Sequence, residues 1–471
     1  MANASRPTKN DSDERADDRD PPAFVALSGS NRADPEAGFL RDDAKLITFY
    51  LPQFHVVPEN SEWWGEGFTE WTNVRRAAPN FEGHDQPKVP RELGYYDLAD
   101  IDVMAAQAEL AKLYGIHGFC FYHYWFSGRR ILEKPVDQFL ASDIDMPFCL
   151  CWANENWTRT WDGDTKSVLL EQKYLSSDAD ALIGSLIPAF RDHRYIMVDG
   201  KPLLLVYRAK QIPHPKTWFT AWRKAAKAAG FAGLHIAVVD MHDMSTPEEV
   251  GADALVEFPP HKFGGPQSVP SSPPTLTNAE FAGGFVDYKK IIAQSALKAP
   301  PPYPYYRGII PSWDNTARRQ NTGTTVVDAR PDLYGAWLRY LRTYTRKHGS
   351  QGNLIFVNAW NEWGEGCTLE PDQRWRLGYL EETLRAAFRP TDEAEDLESA
   401  RKKLFETVAS LSAGDRGASV DRREIERLAA ELSSYKPQSG FAQNMSERLR
   451  KWPLAHGIVR AVYRAAARLK G

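Results

Sequence analysis

Cysteine is scarce in this sequence, with four residues in 471, at Cys120, Cys149, Cys151 and Cys367. None belongs to a Cys-x-x-Cys pair or stands at zinc-ligand spacing from a histidine, so neither a disulfide framework nor a zinc site is expected. Cys149 and Cys151 are two apart and share a face of any strand that holds them, which keeps them from bridging each other. The thiols read as reduced, in a cytoplasmic protein. No apolar run approaches the ~20 residues of a membrane span, and the N-terminus lacks the basic-then-apolar layout of a secretory signal. Neither sign of charge dominates: 58 Lys and Arg against 62 Asp and Glu give a net charge of -4, which offers no footprint for nucleic acid. A glycine-rich phosphate turn after the first strand is also missing, since Leu51, Pro52, Gln53, Phe54 and His55 stand there. That argues against a doubly wound nucleotide-binding sheet, the runner-up architecture. No cofactor is expected.

Aromatic residues are plentiful, with 15 Trp, 19 Tyr and 22 Phe. Tryptophans gathered in loops stack well on the apolar faces of sugar rings, although they also fill cores. Eight apolar runs of strand length follow one another, at 45–54, 115–126, 147–157, 202–208, 234–240, 254–259, 308–315 and 354–363. Most are separated by helix-compatible stretches, and several turn polar or aromatic at their C-terminal ends. That pattern predicts a (β/α)8 TIM barrel with long βα loops over 44–388. Two irregular insertions, 55–100 and the Pro- and Ser-rich 259–306, are of a length usually reserved for binding loops or lids. Residues 1–43 are polar and acidic and read as a disordered extension. Residues 389–471 read as a helical extension. Its last stretch, 446–471, sets seven Lys or Arg against Glu447 alone. This stretch suits either peripheral contact with an anionic membrane or a helix docked on the barrel with a solvated basic face.

The densest chemistry lies in 354–371, where a buried-strand pattern ends in Asn358, Trp360, Asn361, Glu362, Trp363 and Glu365, punctuated by Gly364 and Gly366. Glu362 and Glu365 are the candidate catalytic pair. Glycosyl transfer to water or to another acceptor needs one group at the leaving oxygen and another at the sugar, and paired carboxylates supply both. Their spacing in sequence leaves the stereochemical outcome open.

Other strand ends supply the candidate walls. The first brings Tyr50, Gln53 and His55, with Trp64, Glu70 and Trp71 in its loop; the second brings Tyr122 and Tyr124 on one side, His123 and Trp125 on the other. Only one of these sets can face the interior. The third contributes Trp152, Asn154, Glu155 and Trp157, with Arg159 as a candidate partner for Glu155 or Asp162. Glu257 ends the sixth strand, and Trp313 and Asp314 end the seventh, followed by Arg318 and Arg319. That arginine pair either meets a phosphate or, the favoured reading, neutralises Asp314 and Glu365.

The segments FYLPQFHVVPENSEWWGEGFTEWTNV, GIHGFCFYHYWFSGRRILEKP, FCLCWANENWTRTWDG, WDNTARR and NAWNEWGEGCTLEPD resemble the WbsX-type glycosyltransferase family, also described as glycoside hydrolase family 99-like. The resemblance runs over about 46–380. It implies a (β/α)8 barrel acting on an α-linked, mannan-like or surface-polysaccharide glycan of the O-antigen or capsule kind. By the motif of the related endo-α-mannosidases, it implies that Glu362 deprotonates a sugar 2-hydroxyl while Glu365 serves as general acid/base, with configuration retained. Here Gly364 stands where those hydrolases tend to carry a bulkier residue. Hydrolysis, transfer from an activated donor, and a catalytically idle glycan-binding barrel remain alternatives at the level of sequence.

Overall fold

A computed structural model of the chain describes residues 39–41, 43–158, 168–349, 351–390 and 396–411. Eight parallel strands form a closed barrel: β1 (Lys45–Tyr50), β2 (Ile116–Phe126), β3 (Phe148–Trp152), β4 (Lys201–Val206), β5 (His235–Val239), β6 (Ala254–Val256), β7 (Tyr305–Ile309) and β8 (Leu354–Val357). Each pairs with the next in sequence, and β8 returns to pair with β1, matching Leu354 to Lys45 and Val357 to Thr48. No edge is left open, so every strand spends its backbone hydrogen bonds within the barrel. The fold is the expected (β/α)8 barrel.

The strands end earlier than their apolar runs suggest. The seventh run was placed at 308–315, but β7 occupies Tyr305–Ile309, and Trp313, Asp314 and Asn315 lie in the loop beyond it. Pro311 explains the stop, because it has no N–H to give to a ladder. Pro52 stands two residues past the end of β1 in the same way. Helices 101–113, 134–140, 178–190, 215–228, 288–297 and 331–348 cover the outside; the β5–β6 connection has only the one-turn helix Pro247–Glu249.

Aromatic rings fill the centre. Phe49 of β1 lies 4.8 Å from Phe258, 5.6 Å from Phe356 and 5.7 Å from Tyr122, so rings from four parts of the wall meet on the barrel axis. The two long insertions meet above this plug: Phe81 bridges to Leu276, and the Asn278 amide donates to Asn80 Oδ1 at 2.8 Å and to Asn321 Oδ1 at 2.9 Å. They build the walls of a cleft at the C-terminal mouth.

Phe39–Arg41, inside the stretch read as disordered, pairs antiparallel with Phe388–Pro390. The entry and exit of the barrel are thereby joined. Helix Leu397–Ser410, the first of the C-terminal extension, buries Ala400 and Leu404, and Arg401 Nε donates to the Ala296 carbonyl at 3.0 Å. The basic stretch 446–471 lies outside the described residues, as do Arg159, Trp161 and Asp162. No helix among the described residues is long and apolar enough to cross a membrane.

Candidate active site

Beyond β8 the chain forms a short hairpin in which Asn361 pairs with Thr368 and Glu362 with Cys367. One 3-10 turn, Trp363–Glu365, joins the two sides and ends at Gly366, whose φ of 61° is left-handed. A Cβ at Gly366 would also lie 2.9 Å from Asp314. The hairpin is locked to the first strand's exit: the Asn361 side chain accepts from Leu51 N at 2.7 Å and donates to the Leu51 carbonyl at 3.0 Å. Glu362 and Glu365 therefore stand at the barrel mouth on a braced turn.

Arg318 joins them. Its Nη2 donates to Glu362 Oε2 at 2.9 Å, its Nη1 pairs with Glu365 Oε1 at 2.8 Å, and its Nε donates to Glu70 Oε1 at 2.8 Å. Three carboxylates thus share one planar guanidinium, whose fork holds Glu362 and Glu365 side by side. Gly364 lets this happen: a Cβ there would come within 1.8 Å of Glu70 Oε1 and 2.9 Å of Arg318 Nε. The glycine that sets this motif apart is the floor on which the Glu70–Arg318 pair rests.

One positive charge cannot balance three buried negative ones. Burial first, and then the charges of Glu365 and Glu70, push Glu362 up to about 8 against the pull of Arg318. Glu362 thus holds its proton near neutrality and, once it gives it up, is a stronger base than an ordinary carboxylate. Glu70, fully buried, is also raised, chiefly by burial. Glu365 differs in access: its side chain is 24% exposed, against 6% for Glu362.

Tyrosines and tryptophans face this pair. Strand alternation in β2 sends Tyr122 and Tyr124 to the cleft, and Glu362 acts electrostatically on both hydroxyls. Gln53 Nε2 donates to Tyr124 Oη at 3.2 Å. Trp157, half-buried, packs edge-on to Tyr124 at 5.6 Å and to Trp63 at 5.4 Å, and Trp64 lies nearby in sequence against Phe68. Glu155 lies within electrostatic reach of Glu365. His123 and Trp125 take the other side, where burial drives His123 down to about 3 and Trp152 Nε1 donates to the Trp125 carbonyl.

Several expected wall residues are placed elsewhere. Tyr50 points into the helix layer and donates to Gln107; Trp152 stacks on Trp218 at 6.1 Å; Trp360 packs on Phe119 at 5.5 Å. All three lie on the outer side of the strands, the side that the apolar runs do not distinguish from the inner one. Glu257 is buried between Arg307 at 2.8 Å and Lys298 at 2.7 Å, whose charges outweigh its burial and bring it down to about 2. It braces the wall. Asn154 ties its amide to the Arg208 backbone, and Asn358 Nδ2 donates to the Pro259 carbonyl at 2.9 Å. Trp71 fills a cluster with Phe54, Tyr96 and Trp363, and His55 is buried with its pKa lowered mainly by that burial. Trp313 is buried, and Val326 N donates to its carbonyl.

Asp314 is hydrogen-bonded by a different partner from the arginine pair. His84 accepts the Asn80 N–H at Nδ1, so its Nε2 carries the proton donated to Asp314 Oδ2 at 2.7 Å; Gln86 adds a bond of 2.8 Å. Asp314 N in turn donates to the Glu365 carbonyl at 2.7 Å, so this dyad steadies the turn that carries Glu362 and Glu365. Sequence reasoning missed Tyr207, just past β4, whose ring meets Tyr122 at 6.3 Å. It missed Glu370 as well, which receives Trp363 Nε1 at 2.6 Å and is pushed up to about 7 by burial. The polar turn of the KPLLLV run at Tyr207 was a usable signal, and Glu370 lies inside the stretch 354–371 already singled out.

Residues 46–383 match the family described as glycosyltransferase WbsX. WxcX of Xanthomonas campestris pv. campestris (strain ATCC 33913), named as an uncharacterized protein, is 42% identical over 362 residues, covering 75% of this chain and 51% of WxcX. WxcX of strain B100 matches to the same degree. The chain spans about half the length of the curated relatives it matches. Among solved structures, a glycoside hydrolase-like protein aligns with a TM-score of 0.46 at 15% identity, covering 75% of this chain and 98% of that one. The GH99 endo-alpha-mannosidase from Bacteroides thetaiotaomicron aligns with a TM-score of 0.44 at 15% identity, over 79% of this chain and 100% of that one. Likenesses this loose say nothing about which residues act.

Gly364→Ala should displace the Glu70 carboxylate from Arg318 and destabilise the fold by about 1–3 kcal/mol, the usual cost of overpacking. Chemical denaturation checks this, and a wild-type midpoint would show that the close approach is absent.

Proposed function

The chain belongs to the WbsX glycosyltransferase family, and from that premise we propose that it is an enzyme that cleaves or transfers an α-linked sugar of a mannan-like or surface-polysaccharide glycan, using Glu362 and Glu365. The observation that carries this reading is the sharing of Arg318 by two carboxylates of unequal exposure at an aromatic barrel mouth. A protein that only holds a glycan has no need of a second, buried carboxylate pushed towards neutrality.

The roles are those that the resemblance of the NEWGEG motif implies. Glu362 takes the proton of the sugar 2-hydroxyl as O2 attacks C1, and Glu365 gives its proton to the leaving oxygen as the C1–O bond breaks. Water or an acceptor hydroxyl then opens the 1,2-anhydro sugar at C1. The incoming group gives its proton to Glu365, and Glu362 returns its own to O2. Both carboxylates end as they began, and two inversions retain the configuration. Arg318 limits the charge that builds up on the pair. Tyr122 and Tyr124 supply hydroxyls and ring faces to the sugar, and Trp157 supplies a further apolar face. Gln53 Oε1, buried without a hydrogen-bond partner among the described residues, leaves an acceptor beside Tyr124.

Glu365→Gln should lower turnover of an α-mannan or O-antigen oligosaccharide by roughly a hundred- to ten-thousandfold with little change in KM, the range usual for loss of a general acid/base. Equal product release by the variant, measured by chromatography of the sugars, would remove Glu365 from this role. Because Glu362 must be ionised while Glu365 still carries a proton, kcat/KM should be bell-shaped in pH and fall as the pair loses its last proton, near the value of about 8 to which Glu362 is raised. A rate that stays at its plateau well above that pH would show that no protonated group at Glu365 is needed.

A further inference from the structure

The barrel mouth also carries Arg208, whose one ion pair among the described residues is loose. We propose that the ends of β4, β5 and β6 form a subsite for a phosphoryl group, held by Arg208, His261 and the Tyr207 hydroxyl. This rests on the reading of the barrel mouth as the substrate cleft and is independent of which bond the carboxylates act on.

Arg208 is placed with precision. Asn154 Oδ1 accepts from Arg208 N at 2.8 Å and Asn154 Nδ2 donates to the Arg208 carbonyl at 3.0 Å, fixing the backbone from both sides. The side chain it launches is 31% exposed and has one ionic partner among the described residues, Glu155, with Nε 3.4 Å from Oε1. That is longer than the ~2.7–2.9 Å of a tight charge-assisted bond. Neighbouring cations on this side are already matched: Lys262 to Asp240 at 2.6 Å and Lys210 to Glu249 at 2.7 Å. Arg318 is saturated by three carboxylates. Arg208 is therefore the least compensated of these four cations, and its guanidinium edge suits two oxygens of one phosphoryl group.

The other donors approach from different directions. His261 stacks on Phe258 with ring centroids 5.5 Å apart, and its Nε2 lies 3.5 Å from Tyr207 Oη. The His242 ring stands edge-on to it at 6.2 Å. Burial, then His242 and Arg208, hold His261 down to about 4, so its ring is a neutral hydrogen-bonding group. A guanidinium fork and a phenol from the end of β4, with an imidazole from beyond β6, fit a tetrahedral group with three free oxygens better than a planar carboxylate with two. Tyr207 also meets Tyr122 at 6.3 Å and feels the charge of Glu365, so the subsite and the carboxylate pair share one wall. The substrate class is thus a phosphorylated sugar: either a glycosyl phosphate or diphosphate, or a glycan bearing a phosphoryl substituent.

Isothermal titration of the full chain with inorganic phosphate reads the subsite without any turnover, so its failure is distinct from a failure of the carboxylate assignment. Wild type should bind phosphate, and Arg208→Gln should weaken binding by about tenfold or more, as loss of a hydrogen bond to a charged group implies. His261→Gln, a second variant should the first misfold, should weaken it in the same sense. A sugar 1-phosphate that displaces phosphate more strongly than a phosphorylated oligosaccharide would identify a donor; the reverse order would identify a substituted glycan. Absence of phosphate binding by wild type, unchanged binding by a natively melting Arg208→Gln, or displacement by a uronate as effective as by phosphate would each overturn the proposal.

Discussion

Three carboxylates converging on the Arg318 guanidinium set the terms for the whole mouth of the barrel. Each element nearby is arranged to deliver or tolerate that contact. Helix Glu70–Arg76 supplies the buried Glu70, and the turn after β8 supplies the other two carboxylates. Gly364 keeps its position bare so that the Glu70 carboxylate can lie against the turn's backbone. His84 and Asp314 hold the loop that carries Arg318, through a bond from Asp314 to the Glu365 carbonyl. Removing the arginine would leave three acids close together with little water, an arrangement that can persist only by taking up protons.

That electrostatic tension also gives the site its chemistry. An ion pair with one carboxylate would keep it ionised and quiet, as Arg307 and Lys298 keep Glu257. Burial, with one cation divided among three acids, raises Glu362 to about 8, where a group can both accept and return a proton. Elsewhere at the same mouth, Arg208 engages a single Glu155 loosely, with His261 nearby. A glycan reaching both would meet acid–base groups at one and donors at the other, with Tyr122 and Tyr207 between them.

The architecture was legible because buried parallel strands write themselves as apolar runs, and eight of them in order leave few topologies. The turn that carries Glu362 and Glu365 was legible as a candidate site because both sit within a few residues of one such run. Less was readable where side chains alternate across a wall buried on both faces. Tyr50 and Trp152 looked like cleft residues for their type and place, but period two sent them to the helix layer. Long-range pairings were harder still. Nothing near Glu70 announces an arginine 248 positions away, and nothing near Asp314 announces His84. Asn361 and Asn154 read as sugar ligands, and each instead ties the backbones of neighbouring loops together.

The central claim is that Glu362 and Glu365, paired by Arg318, face the anomeric carbon of a glycan bound across the barrel mouth. A crystal structure of the Glu365→Gln protein soaked with an α-linked mannan oligosaccharide tests it most directly. The account predicts a sugar ring against Tyr122, Tyr124 and Trp157, with its 2-hydroxyl on the Glu362 carboxylate and its glycosidic oxygen beside residue 365. An oligosaccharide seated elsewhere, with Arg318 still closed over an empty pair of carboxyl groups, would contradict it.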